Sequence, residues 1–186
     1  MTNSPDKPKT QNHAIEQSEG SKLKTPSIAV LVASDRSAAG ESEDTSGPLA
    51  AKLLREGLGA EIAQLMVIRD EREGIEETLR RWADMERYDL VVTSGGTGIS
   101  PRDVTPEATL AVVDFTVPGL AEVMRAYSFT KTPMAALSRA VAGVRGRTLI
   151  INLPGSPKGV KECLEAIMPV LPHAIEQLRS GSGHTP

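Results

Sequence analysis

The 186-residue chain has a single cysteine, Cys163. It can form no disulfide within itself, no cysteine zinc site and no paired-thiol redox motif. Such sparing use of cysteine agrees with a reducing cytoplasm. Its three histidines, His13, His173 and His184, lack metal-site spacing, and no catalytic or ligating part is assigned to them. No run approaches the roughly 18 consecutive apolar residues of a membrane helix. The opening MTNSPDKPKTQNHAIEQSEGSK has no apolar core of the secretory kind. The chain therefore reads as soluble and cytoplasmic, without a membrane partner. Charge is nearly balanced, 21 Lys and Arg against 24 Asp and Glu for a net −3, so no field would hold a polyanion and nucleic acid is not expected as the main partner. Also missing are the Gly-Lys-Ser/Thr of a P-loop, the G-x-G-x-x-G dinucleotide spacing and the G-x-S-x-G of a serine-hydrolase elbow.

What is present is an ordinary globular composition: 39% apolar, or about 48% once the 16 glycines are added. The length suits one domain of about 150 residues with some excess chain. That excess lies at the ends. Residues 1–26 are mostly Ser, Thr, Pro, Lys, Glu and Gln and are expected to form a disordered tail, and 180–186 a short flexible one. The folded domain is expected over 27–179.

Within it, Ser27 to Ala33 is a continuous apolar run without helical spacing, as in a strand covered on both faces of a parallel sheet. A loop from Ser34 to Asp44 precedes a helix capped by Thr45 or Ser46, with Pro48 in its first turn and Gly57 or Gly59 at its end. Ile62 to Ile68 is the second strand. Asp70 is placed as the cap of a helix bearing Ile75, Leu79, Trp82 and Ala83 on one face, and Asp89 to Thr93 is the third strand. Such alternation predicts right-handed βαβ units, hence an α/β fold with a mostly parallel central sheet between two helical layers. Helices are predicted from Thr105-Pro106, with Thr105 as the cap, and from Pro118-Gly119, and a short β-hairpin from Arg139 to Asn152 turning at Arg145-Gly146. The last helix runs from about Lys158 to Leu178, kinked at Pro169 and Pro172.

The strongest chemical signal is Thr93-Ser-Gly-Gly-Thr-Gly98 followed by Arg102-Asp103. Glycines directly after a buried strand let backbone N–H groups approach an anion at the carboxyl edge of the sheet, where open α/β folds bind ligands. Asp103 could hold Mg²⁺ against phosphate oxygens and Arg102 could neutralise the same group; an Asx turn before the helix accounts for the aspartate equally well. In the first loop, Asp44 could be a second Mg²⁺ ligand and Ser46 an anion contact, or Asp44 could only cap its helix. Asn152-Leu-Pro-Gly-Ser-Pro157 is a stiff polar loop suited to binding, and also a good plain turn. Arg139 could reach an anionic substrate or pair at the surface. Cys163 has the helical neighbours of a small core residue. None of these groups is a convincing side-chain nucleophile.

Taken together, Asp35-Arg36, Asp44-Thr-Ser-Gly-Pro48, Ser94 to Gly98, Arg102-Asp-Val-Thr-Pro-Glu-Ala-Thr109, Pro118-Gly-Leu120, Leu137-Ser-Arg139, Ala142-Gly143 and Asn152 to Pro157 resemble the molybdopterin adenylyltransferases of molybdenum-cofactor biosynthesis, over about Ser27 to Arg179. The resemblance implies the molybdopterin-binding fold, usually as a homotrimer. It implies transfer of AMP from ATP to the terminal phosphate of molybdopterin, with release of pyrophosphate and help from Mg²⁺. A downstream molybdate-insertion enzyme would take the product. On this resemblance Asp44 and Asp103 are the essential carboxylates, bound to Mg²⁺. Asp35, Ser46, Ser94, Gly95, Gly96, Thr97, Gly98 and Arg102 line the phosphate and substrate loops, and Ser138, Arg139, Asn152, Pro154, Gly155, Ser156 and Pro157 form the wall that receives the pterin. The nucleophile would be the substrate's own phosphate. A non-catalytic molybdopterin carrier or scaffold of the same fold is the alternative, and nucleotide binding unrelated to molybdenum a third.

Overall fold

The computed structural model describes residues 24–181. In chain order the elements are β1 (Ser27–Ala33), the single turn α1 (Asp35–Ala38), α2 (Ser46–Leu58), β2 (Glu61–Ile68), α3 (Arg72–Arg81), β3 (Leu90–Ser94), α4 (Thr105–Leu110), the two-residue β4 (Phe115–Thr116), α5 (Pro118–Phe129), β5 (Ala142–Arg145), β6 (Thr148–Leu153), α6 (Pro157–Ile167) and α7 (Leu171–Ser180). The strands form one sheet in the order β2-β1-β3-β6-β5-β4. β2, β1, β3 and β6 run parallel, and the β5–β6 hairpin and β4 add an antiparallel edge.

Alternation along the strands sorts the core into two faces. Ile28, Val30 and Val32 of β1 join Leu90 and Val92 of β3 and Leu149, Ile151 and Leu153 of β6 under α2, α5, α6 and α7. Ala29, Leu31 and Ala33, with Val91 and Ile150, face Ile75, Leu79 and Trp82 under α3 and α4. Because both faces are covered, every residue of β3 and β6 is buried, which is why their apolar stretches Leu90–Val92 and Leu149–Ile151 do not alternate with polar residues. The expected three layers and hairpin are therefore present, with Gly146 at the hairpin turn in the left-handed region (φ +56°).

Four local expectations change. The first loop contains the helical turn α1, capped by the Ser34 hydroxyl, which accepts the Ser37 N–H at 3.2 Å. Asp70 does not cap α3; the cap position belongs to Glu71, without a side-chain bond. Thr105 lies inside α4 and its hydroxyl caps nothing. The kink in the last helix is a full interruption, a 3₁₀ turn over Met168–Val170 between α6 and α7, because Pro169 and Pro172 remove successive helical donors. The predicted tails lie outside the described residues except at 24–26 and 180–181. There the chain is held, since Arg179 donates to the carbonyls of Lys24 and Thr25 and Glu61 N–H donates to the Pro26 carbonyl.

The amino edge of the sheet closes on one ion pair. Asp89 Oδ1 accepts from Arg179 Nε at 2.6 Å, and its Oδ2 accepts from Arg179 Nη2 at 2.7 Å and from Ser27 N–H at 2.8 Å. One carboxylate thus joins the start of β1, the start of β3 and the end of α7. Burial pushes the Asp89 pKa up, but the hydrogen bonds from Arg179 and Ser27 outweigh it and leave the group below the ordinary carboxylate value. A depressed folded pKa means that the stabilisation is complete above the unfolded pKa and disappears as pH falls through the folded one. Replacing Asp89 with Ala is expected to lower the unfolding free energy by about 2–3 kcal/mol in urea titrations at pH 7. The gap from the parent protein should narrow as the pH is taken below about 4.

Candidate functional site

Four loops meet at the carboxyl edge of the parallel strands, after β1, β2, β3 and β6. Central among them is the glycine loop after β3. Gly95 (φ +100°) and Gly96 (φ +61°) hold backbone conformations open to glycine. A Cβ on Gly95 would lie 2.2 Å from the Ala33 carbonyl oxygen, and one on Gly96 would lie 2.4 Å from Thr105 Oγ1. The loop therefore sits directly on the ends of β1 and α4. Gly95 N–H donates to the Leu153 carbonyl. Beyond it the carbonyls turn inward: Gly96 O accepts from Thr105 N–H at 3.1 Å, Thr97 O from Arg139 N–H at 2.9 Å, and Gly98 O from Arg139 Nε. The N–H groups of Gly96, Thr97 and Gly98 have no acceptor among the described residues. Adjacent unpaired N–H groups at a turn form an anion-binding concavity.

Arg139 builds this arrangement from beneath. Expected on the substrate wall, its guanidinium instead faces protein. It donates to the Gly98 and Asp103 carbonyls and pairs with Glu107 of α4. Only a planar, many-donor cation meets three acceptors in this way.

A second charged group covers the loop's outer side. Asp35 and Asp70 exchange backbone bonds, Asp35 N–H donating to Asp70 Oδ2 at 3.0 Å and Asp70 N–H to Asp35 Oδ1 at 3.2 Å. Arg102 closes on Asp35 through Nε at 3.0 Å and Nη2 at 2.6 Å. Those guanidinium bonds hold the Asp35 carboxyl below the usual carboxylate range. Asp70 moves the other way: burial, then repulsion from Asp35 and Asp103, raises it against the pull of the Asp35 N–H and Arg102. Its Oδ1 lies 3.0 Å from the point a Gly96 Cβ would occupy. Sequence reasoning placed Asp70 as a helix cap and missed it as a site residue. The available signal was its position at the carboxyl end of β2, next to β1 in the sheet.

Asp44 and Asp103, the expected carboxylate pair, line different hollows. Asp44 stands with Ser34, Arg36, Ser46, Ser94, Gly95 and Gly155 around a cavity of about 220 Å³. Its Oδ1 accepts from Ser46 N–H and Oγ, both at 2.9 Å, and from Gly47 N–H at 3.1 Å, so it does cap α2. Its Oδ2 is buried without a partner. Asp103 belongs to the far side of the glycine loop, beside Ser100, Glu107 and Arg139, with Oδ2 accepting the Ser100 N–H at 2.7 Å.

A third cavity, of about 350 Å³, opens between α5, the 3₁₀ turn at Pro133–Leu137 and α6. Thr97, Gly98, Pro154 and Ser156 form its mouth, Met124, Met134 and Leu137 much of its apolar wall, and Ser138 also faces it. Gly95 and Gly155, where a Gly155 Cβ would come within 3.2 Å of Gly95 Cα, line the 220 Å³ cavity, and their neighbours Thr97, Pro154 and Ser156 line the 350 Å³ one. Two expected wall residues serve the frame instead. Asn152 is fully buried inside β6; its Nδ2 donates to Thr93 and Thr109, and its Oδ1 accepts the Val141 N–H. Pro157 opens α6, which Ser156 caps by accepting the Gly159 N–H at 3.1 Å. Cys163 is buried, as expected, on the floor of the larger cavity, 3.8 Å from Ser128 Oγ.

A family model described as "Probable molybdopterin binding domain" matches residues 29–173. The molybdopterin adenylyltransferase of Helicobacter pylori is 45% identical over 155 residues, covering 83% of this chain and 88% of that protein. Gephyrin of Dictyostelium discoideum is 36% identical over 189 residues, 97% of this chain but 26% of that longer one. Among solved structures, the molybdopterin biosynthesis enzyme MoaB of Thermus thermophilus superposes with a TM-score of 0.80 at 52% identity, covering 84% of this chain and 98% of that one.

The glycine loop sets a stability test. Gly95→Ala should cost about 2–4 kcal/mol in thermal unfolding, since the new methyl strikes the Ala33 carbonyl at a positive φ. Gly119→Ala, in α5 with nothing within 4 Å, should change stability by less than about 1 kcal/mol.

Proposed function

The chain belongs to the molybdopterin-binding domain family of molybdenum-cofactor biosynthesis, and from that premise we propose that it is a molybdopterin adenylyltransferase joining AMP from ATP to the terminal phosphate of molybdopterin. The observation that carries this reading is the row of three unpaired N–H groups at Gly96, Thr97 and Gly98, set between a polar cavity and a ring-sized apolar one. A two-substrate phosphate reaction needs this layout. The pterin occupies the apolar cavity with its phosphate on the glycine-loop N–H groups. The nucleotide phosphates approach from the polar side, beside Arg36 and the hydroxyls of Ser34 and Ser46.

In the transfer, a terminal phosphate oxygen of molybdopterin attacks the α-phosphorus of ATP, and the bond from that phosphorus to the bridging oxygen breaks as pyrophosphate leaves. The protein aligns the two phosphates in line and neutralises charge. No side-chain nucleophile is required, in keeping with a site that offers none. Arg139 acts indirectly, by holding the loop carbonyls away from the incoming anion. Asp35 fixes Arg102 over the loop.

Mg²⁺ fits this donor set. Asp70 Oδ1 and Asp103 Oδ1 have no partner among the described residues, and the two carboxylates repel each other near the loop. No cluster of three or more His, Cys, Asp or Glu is present among those residues, but Mg²⁺ needs only one or two carboxylates when phosphates complete its shell. Bound there, the ion would withdraw charge from phosphate held on the glycine loop. Asp44, which lines the polar cavity, would be a further carboxylate beside the nucleotide phosphates. The reading extends to a homotrimer, supported by the open edge at β4 where Phe115 is exposed. It also includes a cytoplasmic setting and hand-over of the product to a molybdate-insertion enzyme; among the described residues no helix is long and apolar enough to cross a membrane.

A pyrophosphate-release assay tests the reading. Release should require molybdopterin, ATP and Mg²⁺ together, and Asp103→Asn and Asp70→Asn should each lower kcat by about a hundredfold or more with folding retained. Tight molybdopterin binding without release would overturn the enzyme in favour of the carrier module, a role open to a domain that forms a quarter of a longer chain in gephyrin. Release indifferent to molybdopterin would place the chain's chemistry outside molybdenum metabolism.

A further inference from the structure

The apolar cavity contains one acidic group, and the transfer chemistry does not use it. Glu162 lines the cavity from α6 together with Ser128, Thr132 and Cys163, more than a helical turn along α6 from Ser156, which caps that helix. Its side chain is only 13% exposed, yet it accepts no hydrogen bond among the described residues; it has a long ion pair with Lys158 Nζ at 3.9 Å, on a side chain 76% exposed. A carboxylate so far removed from water and left without donors is costly unless a ligand supplies them. The other cation in the wall, Arg125, donates instead to the Ala140 carbonyl.

We propose that Glu162 reads the ring edge of the substrate, accepting two parallel hydrogen bonds from the 2-amino group and the adjacent ring N–H of a 2-amino-4-oxopyrimidine. This rests on the assignment of the apolar cavity to the pterin. It adds the specificity: a carboxylate has acceptors only, so it matches the two donors of that edge and repels a 2-oxo analogue, which presents an oxygen where the amino group was. With the ring edge at Glu162, the opposite side of the ring system faces the cavity mouth and the glycine loop, where the phosphate belongs.

The test compares binding of 6-hydroxymethylpterin and 6-hydroxymethyllumazine, its 2-oxo counterpart, to the full chain by ligand fluorescence. The parent protein should prefer the pterin by roughly ten- to a hundredfold. In Glu162→Gln the amide can donate to the 2-oxo group while accepting from the ring N–H, so the preference should vanish or reverse. Glu162→Asp keeps the acceptor-only chemistry and should weaken both ligands while still preferring the pterin. Glu165→Gln, on the same helix but facing the groove beside Leu53 and Met168, should leave the ratio unchanged. A pterin preference unaltered in Glu162→Gln would overturn the role of Glu162 and leave the cavity assignment standing. Failure of the parent protein to bind either compound would overturn both.

Discussion

Everything at the carboxyl edge depends on where three carbonyl oxygens point. A loop of Gly, Thr and Gly offers a phosphate either N–H donors or carbonyl lone pairs, and the two outcomes have opposite sign. Here Thr105 N–H, Arg139 N–H and Arg139 Nε take the carbonyls of Gly96, Thr97 and Gly98 from the protein side, so the donors face the cavities. Arg139 is in turn fixed by Glu107 and the Asp103 carbonyl. A lysine could supply the charge but not three directed bonds. The arginine that the sequence offers as a substrate contact thus also braces the loop's backbone.

That bracing needs a rigid base, and a buried polar cluster provides it. Asn152 joins β6 to Thr93 of β3 and Thr109 of α4, and its oxygen holds Val141 before β5. Such a network is stabilising only when all its members are satisfied, and each polar atom of the Asn152 side chain has a partner. It fixes the ends of the two strands from which the glycine loop and the 154–156 loop emerge. Those loops then touch at Gly95 and Gly155, so residues of the same two loops line both the polar cavity and the apolar one.

The fold was readable because its signals are local. Continuous apolar runs gave β1 and β3 within a residue of their ends, Gly59 in the left-handed region stops α2, and Pro169 and Pro172 break the last helix. The glycine loop was readable for the same reason, three glycines after a buried strand. What failed was the partner of each polar side chain. Asp70, Thr105, Asn152 and Arg139 occupy positions where a cap, a loop contact or a surface pair is the economical local reading. Their side-chain bonds run instead to residues 32 or more positions away, Val141 for Asn152 excepted, and the Thr105 hydroxyl has no partner among the described residues. Sheet order decides those partners: β2 beside β1 brings Asp70 to Asp35, and β6 beside β3 brings Asn152 to Thr93. No local pattern encodes that order.

The charges around the loop explain why a phosphate site should carry acids at all. Three N–H donors attract an anion, while Asp70 and Asp103 would repel one, and Asp35 is already matched by Arg102. With both in place, a bare polyphosphate gains little, whereas one that arrives with a divalent cation satisfies donors and carboxylates together. Burial and the neighbouring carboxylates raise Asp70 against the pull of the Asp35 N–H and Arg102, so a cation placed there would ease the repulsion between the acids. On the proposed function, selectivity for a metal-bound nucleotide would be a property of the protein's own arrangement, set before either substrate enters. The remaining work would be geometric: a ring seated in the apolar cavity, its phosphate on the loop, and the second phosphate group brought in line beside it.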